Sequence, residues 1–377
     1  MVESVPGLLA QLIRIDSVNP SLVPGAAGEA QLAQFVLSWL RESGIEARLD
    51  EAAPGRPSVI ARVPGSGGGR SLILNAHLDT VGTDNMANPL EPSIRDGTMS
   101  GRGSYDMKGG LAACLLALRD ASRAGLRGDV ILTAVADEEH ASLGMQSVLK
   151  QVRADAAIVT EPTSLHLCVA HKGFTWHEVI THGRAAHGSR PDLGNDAIVQ
   201  MGRVLGGLEA LQRELESRPA HPLLGHASVH ASLIQGGQEL SSYPERCTLH
   251  VERRTLPGET LADIEAEWQA LLSPLRRATD FQAEQRVLMV RDAFGVSADA
   301  PIVQTLSQQA ERVRGEVPTQ IGLSFWMDSA LLAGAGIPTV IFGPHGAGAH
   351  AAEEWVDLAS VEQCREILTA TLTAFCA

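Results

Sequence analysis

The hydrophobic pattern of the chain contains short, continuous apolar runs that lead directly into histidine or acidic residues. The run SLILNAHLDT, at residues 71–80, ends in His77 and Asp79. Its consecutive aliphatic residues are typical of a strand buried on both faces, as in a parallel sheet. Since alternate residues of an extended chain point to one side, we predict that His77 and Asp79 project together from the carboxyl end of this strand.

A histidine beside a carboxylate at a strand end indicates a metal ligand and the group that orients it. A helix cap or a hydrogen-bonded surface pair would explain H-x-D alone equally well. Two further apolar runs, at residues 129–136 and 156–159, predict strands that lead into Glu138-Glu139 and Glu161. Because helical patterns separate these runs, we expect an α/β sheet with a site along the edge where the strands end.

The N-terminal part of the chain predicts two helices followed by two strands. Helical spacing of apolar residues covers residues 8–13 and 29–42, and strands are predicted at 58–63 and 71–74. The glycine-rich PGSGGG between these strands lacks the G-K-[ST] ending of a phosphate-binding loop. We therefore predict a plain hairpin turn between two paired strands.

From about Gly173 the pattern changes to strict alternation of apolar and polar residues. Residues 228–233 and 247–252 alternate in this way, which is typical of half-exposed antiparallel strands. Together with two amphipathic helices they predict a small two-layer α+β domain of ferredoxin-like type. We expect a discontinuous α/β catalytic domain at 1–173 and 291–377, with this domain inserted at 174–290 and hinges near Gly173 and Arg291.

Composition and charge narrow the possible partners. The chain has 377 residues, and its 30 Lys and Arg against 44 Asp and Glu give a formal net charge of −14. This balance argues against nucleic acid or an anionic membrane as a partner. The N-terminal sequence does not resemble a signal peptide, and no apolar stretch reaches membrane-spanning length. The five cysteines are odd in number and form no C-x-x-C pair, which predicts reduced, mostly buried thiols in a cytoplasmic protein.

Two more positions, Asp106 and His350, join the acidic residues after the predicted strands to complete a candidate site. GRGSYDMKGG places Asp106 between flexible glycines and the start of a helix, although a helix cap alone would explain it. The adjacent Glu138 and Glu139 repel each other unless a cation, a shared proton or solvent relieves them. Glu161 and His350, the latter in GPHGAGAHAAEEW, add further oxygen and imidazole groups.

Five of these motifs resemble those of a known enzyme family. HLD at 77–79, GRGSYDMKGG, DEEHASLG, VTEPTS and GPHGAGAHAAEEWVDL occur in the order and approximate spacing found in the M20 family of binuclear zinc hydrolases. That family includes acetylornithine deacetylase, succinyl-diaminopimelate desuccinylase, aminoacylase and glutamate carboxypeptidase. The resemblance spans nearly the whole chain. It implies a zinc-exopeptidase-like catalytic domain, with a mixed sheet flanked by helices, and an inserted lid or dimerisation domain.

The resemblance also implies two Zn²⁺ per subunit, for which Co²⁺ or Mn²⁺ can substitute at a mixed nitrogen and oxygen site. The implied ligands are His77 and Glu161 for one ion, Glu139 and His350 for the other, and Asp106 as the bridge. Asp79 resembles the residue that orients His77. Glu138 resembles the general base, which would take the proton of the attacking water and pass it to the departing amine.

Two segments of the inserted domain carry further resemblances. In GRAAHGSRP, the family role of stabilising the oxyanion in a neighbouring subunit's active site falls on His187, which implies a homodimer; a surface histidine in a loop is the alternative. In RRTLPGE, the role of binding a substrate carboxylate falls on Arg254, with Arg253 as its solvated neighbour, although spacing alone does not decide between them. GGQELSSYP has Ser241 where many members have Asn in a substrate-binding position. His345 has no family match and stays unassigned.

We therefore expect a cytoplasmic, dimeric, zinc-dependent amidohydrolase that removes the acyl group from N-acyl amino acids, most like acetylornithine deacetylase and its relatives. A carboxypeptidase or dipeptidase of the same fold is the first alternative, because it cleaves an amide beside a free carboxylate with the same metal motifs. A family member that binds metal without catalysis is the second. A dinucleotide oxidoreductase is disfavoured, because Asp106 stands where G-x-G-x-x-G needs its third small residue.

Overall fold

The structure, a computed structural model, describes residues 4–84 and 86–377. The chain forms two compact units. The first consists of the residues up to Val169, Val296–Ile321 and Met327–Ala377, and the second of Ala170–Gly295 and Gly322–Trp326. The domain boundaries expected near residues 173 and 290 stay a prediction.

The helices, in chain order, are α1 (Val5–Arg14), α2 (Ala30–Glu42), α3 (Gly109–Ala121), α4 (Leu143–Val148), α5 (Ala197–Ser217), α6 (Leu261–Leu275), α7 (Pro301–Arg314), α8 (Ser329–Gly334) and α9 (Leu358–Phe375). A π-helical turn, Ser104–Lys108, precedes α3. The strands are β1 (Glu46–Ala53), β2 (Arg56–Val63), β3 (Leu72–His77), β4 (Ser93–Arg95), β5 (Thr98–Ser100), β6 (Val130–Val135), β7 (Ala156–Val159), β8 (Leu167–His171), β9 (Gly173–His182), β10 (Ser228–Gly236), β11 (Arg246–Thr255), β12 (Ala283–Arg291), β13 (Phe294–Gly295), β14 (Gln320–Leu323), β15 (Thr339–Ile341), β16 (Gly346–Ala347) and β17 (Trp355–Asp357).

The first unit is built on a mixed sheet with the strand order β1-β2-β6-β3-β7-β15-β8. β3 pairs in parallel with β6 and β7, and β15 pairs in parallel with β7. The pairs β1–β2, β2–β6 and β15–β8 are antiparallel. Every residue of β3 and β6 is buried, so this sheet is covered on both faces, as an α/β fold requires. The predicted α/β class is confirmed.

The predicted hairpin between β2 and β3 is wrong. β6 lies between these strands and pairs with both, at Val59↔Ala134 on one side and Leu72↔Val130 on the other. The glycine-rich segment instead packs along the start of β6, where the amide of Gly67 donates to the carbonyl of Arg127 at 2.8 Å. Because β6 comes about sixty residues later in the chain, local turn composition carries no information about its insertion.

A small antiparallel sheet of order β16-β17-β5-β4 lies in the same unit. Its central pair joins distant parts of the chain, with Trp355 opposite Ser100. The segment after β5 contains Asp106, and the loop between β16 and β17 contains His350. This sheet therefore brings the starts of two candidate ligand loops together.

The second unit is a two-layer α+β structure. Its sheet has the antiparallel order β10-β11-β9-β12, and α5 and α6 supply the other layer. The layers enclose a core of buried side chains that includes Met201, Val204, Leu249, Ile264 and Trp268. The predicted order of strand, helix, two strands, helix and strand is confirmed.

All five cysteines are buried and free of disulfides. Among the residues that the structure describes, no helix combines the length and apolar character needed to cross a membrane.

Candidate metal centre

The centre lies at the edge of the first unit's sheet where adjacent strands end. His77 is the last residue of β3, Glu138 and Glu139 follow β6, and Glu161 follows β7. Since these three strands are parallel neighbours, their carboxyl ends meet at one edge. Asp106 reaches the same place from the π-helical turn Ser104–Lys108, as the contacts below describe.

The imidazole of His77 faces two carboxylates. Its Nε2 lies 3.2 Å from Oδ1 of Asp106 and 3.6 Å from Oε1 of Glu161. Its Nδ1 lies 2.9 Å from the backbone carbonyl oxygen of Asp79. A carbonyl oxygen can only accept, so Nδ1 carries the proton in the neutral ring and Nε2 presents its lone pair to the carboxylates. This is the orientation of a metal-binding histidine.

His350 occupies the matching position on the other side of Asp106. Its Nε2 lies 3.3 Å from Oδ2 of Asp106 and 2.9 Å from Oε2 of Glu139. The two oxygens of Asp106 therefore face different histidines, Oδ1 toward His77 and Oδ2 toward His350. The five predicted ligands thus form two groups that share Asp106.

The donor atoms fit divalent cations. Ligand atoms of His77, Asp106 and Glu139 lie within 4.8 Å of one another, as do those of His77, Glu138 and Glu161. Oε1 of Glu139 is buried and has no hydrogen-bond partner among the described residues. A buried carboxylate oxygen without a partner is costly unless a cation or proton satisfies it. Imidazole nitrogens with carboxylate oxygens are a donor set that suits zinc.

The electrostatics of the cluster point the same way. Burial raises the pKa of Glu138 and of Glu161 well above the ordinary range, and neighbouring carboxylates raise both further. Burial would also raise the pKa of Asp106, but its contacts with the imidazoles of His350 and His77 lower it. Hydrogen bonds to Asp106 and Glu139 raise the pKa of His350 to about 10. These four carboxylates lie close together around two histidines, and a bound cation would offset their mutual repulsion.

Asp79 anchors the turn that carries the two adjacent glutamates. Its Oδ1 accepts the amide proton of Glu138 at 3.1 Å, and its Oδ2 accepts that of Glu139, also at 3.1 Å. Its Oδ1 is 3.7 Å from Nδ1 of His77, beyond hydrogen-bond distance. In this geometry the backbone carbonyl of Asp79, not its carboxylate, makes the close contact with His77.

A buried polar network behind Asp79 was missed by sequence reasoning. Asn19 donates to Oδ2 of Asp79 at 2.8 Å and to Oδ1 of Asp137 at 3.0 Å. Arg56 pairs with both oxygens of Glu29, each at 2.6 Å, and with Asp137 at 2.8 Å. Asn19 and Arg56 had no predicted role, because the strand was predicted only from residue 58 to 63. A charged pair flanking predicted buried elements is the signal that could have indicated this network.

The remaining candidate residues lie in the second unit. His187 is exposed, and its Nδ1 lies 2.8 Å from the hydroxyl of Ser189. Ser241 is exposed and donates its hydroxyl to Glu239 at 2.6 Å. Its backbone carbonyl accepts the amide proton of Gly188 at 2.6 Å. The loop with His187 and the loop with Ser241 are therefore joined within this unit.

The two adjacent arginines of β11 have opposite environments. Arg253 lies on the buried face of the strand and donates to Glu259 at 2.7 Å and to Glu267 at 3.0 Å. The expectation that Arg253 is the solvated neighbour is therefore wrong, because alternate residues of β11 point into the core and Arg253 has that parity. Arg254 points the other way, with its guanidinium 5.2 Å from the ring centre of Phe174 and paired with Glu252.

Known proteins resemble this chain over nearly its full length. The acetylornithine deacetylase of Photorhabdus laumondii is 27% identical over 98% of this chain and 96% of its own. The N-formyl-4-amino-5-aminomethyl-2-methylpyrimidine deformylase of Halalkalibacterium halodurans is 28% identical over 98% of this chain and 94% of its own. The crystal structure of Bacillus subtilis YXEP, described as a dinuclear metal-binding peptidase of the M20 family, has the same fold with a TM-score of 0.75. It is 17% identical and covers 98% of both chains.

The sequence profile of peptidase family M20/M25/M40 matches residues 73–374. That span includes every residue of the candidate centre, from His77 to His350. The resemblance found in the five motifs is thereby confirmed. The chain belongs to peptidase family M20/M25/M40, metal-dependent hydrolases that act on amide bonds.

Proposed function

We propose that this chain is a two-metal amidohydrolase that removes the acyl group from the nitrogen of N-acyl amino acids. The observation that carries the proposal is the position of Asp106, whose two carboxylate oxygens face His77 and His350 separately. A carboxylate shared in this way by two sets of ligands suits a pair of cations. The names of both sequence relatives, a deacetylase and a deformylase, support N-deacylation as the reaction.

In this proposal His77 and Glu161 would hold one ion and Glu139 and His350 the other, with one oxygen of Asp106 available to each. Zinc suits this mixture of imidazole and carboxylate donors, and cobalt or manganese can replace it. When bound, a pair of such ions supplies Lewis acidity that polarises the scissile carbonyl and lowers the pKa of water.

Glu138 is the proposed general base. Its carboxylate would accept a proton from the attacking water and deliver it to the departing amine, which must leave in protonated form. Its backbone amide donates to Asp79, as does that of Glu139, so one carboxylate holds the turn that carries both glutamates. Glu138 also lies close to His77 and Glu161, so it could instead bind an ion directly. Substitution of Glu138 distinguishes a general base from a metal ligand.

The second unit would supply substrate recognition. The side chain of Arg254 is about one-third exposed, whereas that of Arg253 is buried and pairs with Glu259 and Glu267. Arg254 is therefore the proposed partner of the substrate carboxylate, for which its planar fork is suited. His187, on an exposed loop joined to the Ser241 segment, is the proposed oxyanion donor to a partner subunit in a homodimer. The cytoplasmic location also stays a proposal, supported by five buried cysteines that form no disulfide.

The experiment that tests this function is amine release from a panel of N-acetyl, N-formyl, N-succinyl and N-carbamoyl amino acids and simple dipeptides. The protein is stripped of metal and reloaded with zinc or cobalt. Metal-dependent release from one acyl class supports the proposal and identifies the acyl group. Release from dipeptides alone would favour the peptidase alternative. Silence across the panel with two ions bound would favour a non-catalytic family member.

A further inference from the structure

Glu354 is a buried acidic residue of the GPHGAGAHAAEEW motif to which the proposed mechanism gives no role. It is only 2% exposed, whereas its neighbour Glu353 is exposed. The carboxylate accepts three backbone amide protons from a single turn. Oε1 lies 2.9 Å from the amide of Tyr105 and 3.0 Å from that of Asp106, and Oε2 lies 2.8 Å from that of Gly103.

Arg102 completes the surroundings of this carboxylate. Its Nη1 donates to Oε2 of Glu354 at 2.8 Å, and its Nη2 donates to the carbonyl of Ala351 at 2.9 Å. Gly103 has φ of +76°, which turns its amide toward the same point as those of the next residues. Both carboxylate oxygens are therefore saturated by donors from the segment around Asp106.

These contacts join two segments that are about 250 residues apart in sequence. One carries Asp106, and the other carries His350. Asp106 follows β5 and His350 precedes β17, and these two strands pair with each other. Glu354 ties the loops together again at the backbone of Asp106 itself. Asp106 Oδ2 lies 3.3 Å from His350 Nε2, so the two joined segments also meet at their candidate ligand atoms.

We propose that Glu354 is a positioning residue that holds Asp106 in register with His350, so that one carboxylate can serve both ions. This inference rests on the proposed two-metal site and adds the group that aligns it. His77 and Glu161 extend from or follow β3 and β7, which are buried, paired strands, and they keep their places without Glu354. His350 lies in a loop and its side chain is 54% exposed. The ligand group of His350, Glu139 and Asp106 therefore depends on the hydrogen bonds of Glu354.

The negative charge of Glu354 is essential to this role. Each of its two oxygens faces only donors, so a Gln side chain would place its NH₂ group against one or two N–H groups. Glu354→Gln keeps the size of the side chain but removes the charge, and its NH₂ group then faces N–H donors at one of the two oxygen positions. Glu354→Asp keeps the charge but shortens the side chain by one methylene, so it cannot reach all of the donors. Glu353→Gln is the matched control, because it makes the same change at the adjacent exposed residue.

The first measurement uses metal-free protein and does not depend on the two-metal proposal. Amide hydrogen exchange is followed by mass spectrometry in peptides that cover residues 101–108. We expect faster exchange in Glu354→Gln than in the wild type and Glu353→Gln, with peptides of β3 and β7 unchanged. Unchanged exchange in the 101–108 peptides would overturn the inference.

The second measurement is a Co²⁺ titration followed by calorimetry, visible absorption and electron paramagnetic resonance. We expect Glu354→Gln to bind the first ion normally but the second about 10- to 100-fold more weakly, the range typical of lost outer-shell partners. The magnetic coupling between the two ions should also disappear. Equal weakening of both ions, or retained coupling, would overturn the positioning role.

If Glu354→Gln does not fold, Glu354→Asp takes its place with the same expectations. Native exchange, affinity and coupling in that folded variant would overturn the inference. If wild type and Glu353→Gln bind a single ion, the two-metal proposal fails by itself. In that case the inference that Glu354 aligns ligands for two ions is overturned as well. The exchange result still decides whether Glu354 holds the turn that carries Asp106.

Discussion

At the scale of single residues, the centre depends on neighbours in sequence having different partners. Glu139 lies 2.9 Å from His350, whereas Glu138 lies among the His77 and Glu161 ligand atoms. The Asp79 carboxylate fixes both of their amides and so sets this divergence. Arg253 and Arg254 divide in the same way, one into the core and one toward the opposite face. Adjacent identical residues are therefore not interchangeable here.

Glu138→Gln should retain two metal ions and lose turnover. An amide cannot accept the proton of the attacking water, so we expect kcat to fall by about 10²- to 10⁴-fold with little change in KM. Metal content is measured by mass spectrometry of the dialysed protein, beside steady-state kinetics on the substrate found in the panel. Loss of one ion from this variant would instead identify Glu138 as a ligand.

Arg56→Met should destabilise the first unit strongly. Glu29 and Asp137 would keep buried carboxylates without their cation, and breaking a buried pair in this way costs about 3–5 kcal/mol. Denaturant unfolding of the metal-free protein measures the change. Arg213→Met, which removes an exposed partner of Glu209, is the control and should leave the midpoint nearly unchanged. A small effect of Arg56→Met would mean that the network does not support the fold.

At the scale of elements, the sequence predicted what local periodicity encodes. Continuous apolar runs correctly indicated β3, β6 and β7, and the residues after them indicated the site, because buried parallel strands and their ends have a local signature. The insertion of β6 between β2 and β3 could not be predicted in this way, because strand pairing between distant segments leaves no local pattern. Glu354 was missed for the same reason, since its donors lie about 250 residues away.

The alternation of buried and exposed side chains along β11 can be predicted from the sequence, but it was not extended as far as Arg253. Cys247, Leu249 and Val251 were recognised as its apolar face, and Arg253 continues their alternation. An arginine on the buried face of the strand requires acidic partners, which Glu259 and Glu267 on the following segment supply. Extending the alternation by one residue would have identified Arg254 as the accessible arginine.

The second unit should lose stability in mild acid through His177. Burial and the nearby charge of Arg253 lower the pKa of His177 from 6.5 to about 4. Between these values the unfolded chain binds a proton that the folded chain does not, so stability falls as pH drops from 6.5 toward 4. The loss by pH 4 is on the order of 2–3 kcal/mol for one such group.

His177→Gln should weaken this acid dependence, because an amide can contact Thr175 and Gln285 without titrating. Unfolding of metal-free protein at pH 7 and pH 5 measures the difference, and metal-free protein is used because acid also releases bound ions. His230→Gln, at an exposed position of the same unit, is the control. Equal acid sensitivity of wild type and His177→Gln would contradict the assignment.

At the scale of the whole molecule, the family match supports the reaction class but not the identity of the substrate. Identity of 27–28% over nearly the full length accompanies relatives with different named substrates, a deacetylase and a deformylase. The family match, which spans the residues of the candidate centre, supports the reaction class of amide-bond hydrolysis. The proposed substrate contacts, Arg254 and Ser241, lie in the second unit, where the sequence departs from the family motif at Ser241 and leaves two adjacent arginines to choose between.

The central claim is that Asp106 joins two cations with Glu138 outside both coordination shells. Anomalous diffraction from crystals loaded with zinc, recorded on both sides of the absorption edge, tests it most directly. We predict two zinc peaks about 3.5–4 Å apart, one beside His77 and Glu161 and one beside Glu139 and His350, with Asp106 between them. A single peak, or a peak within bonding distance of the Glu138 carboxylate, would contradict the account.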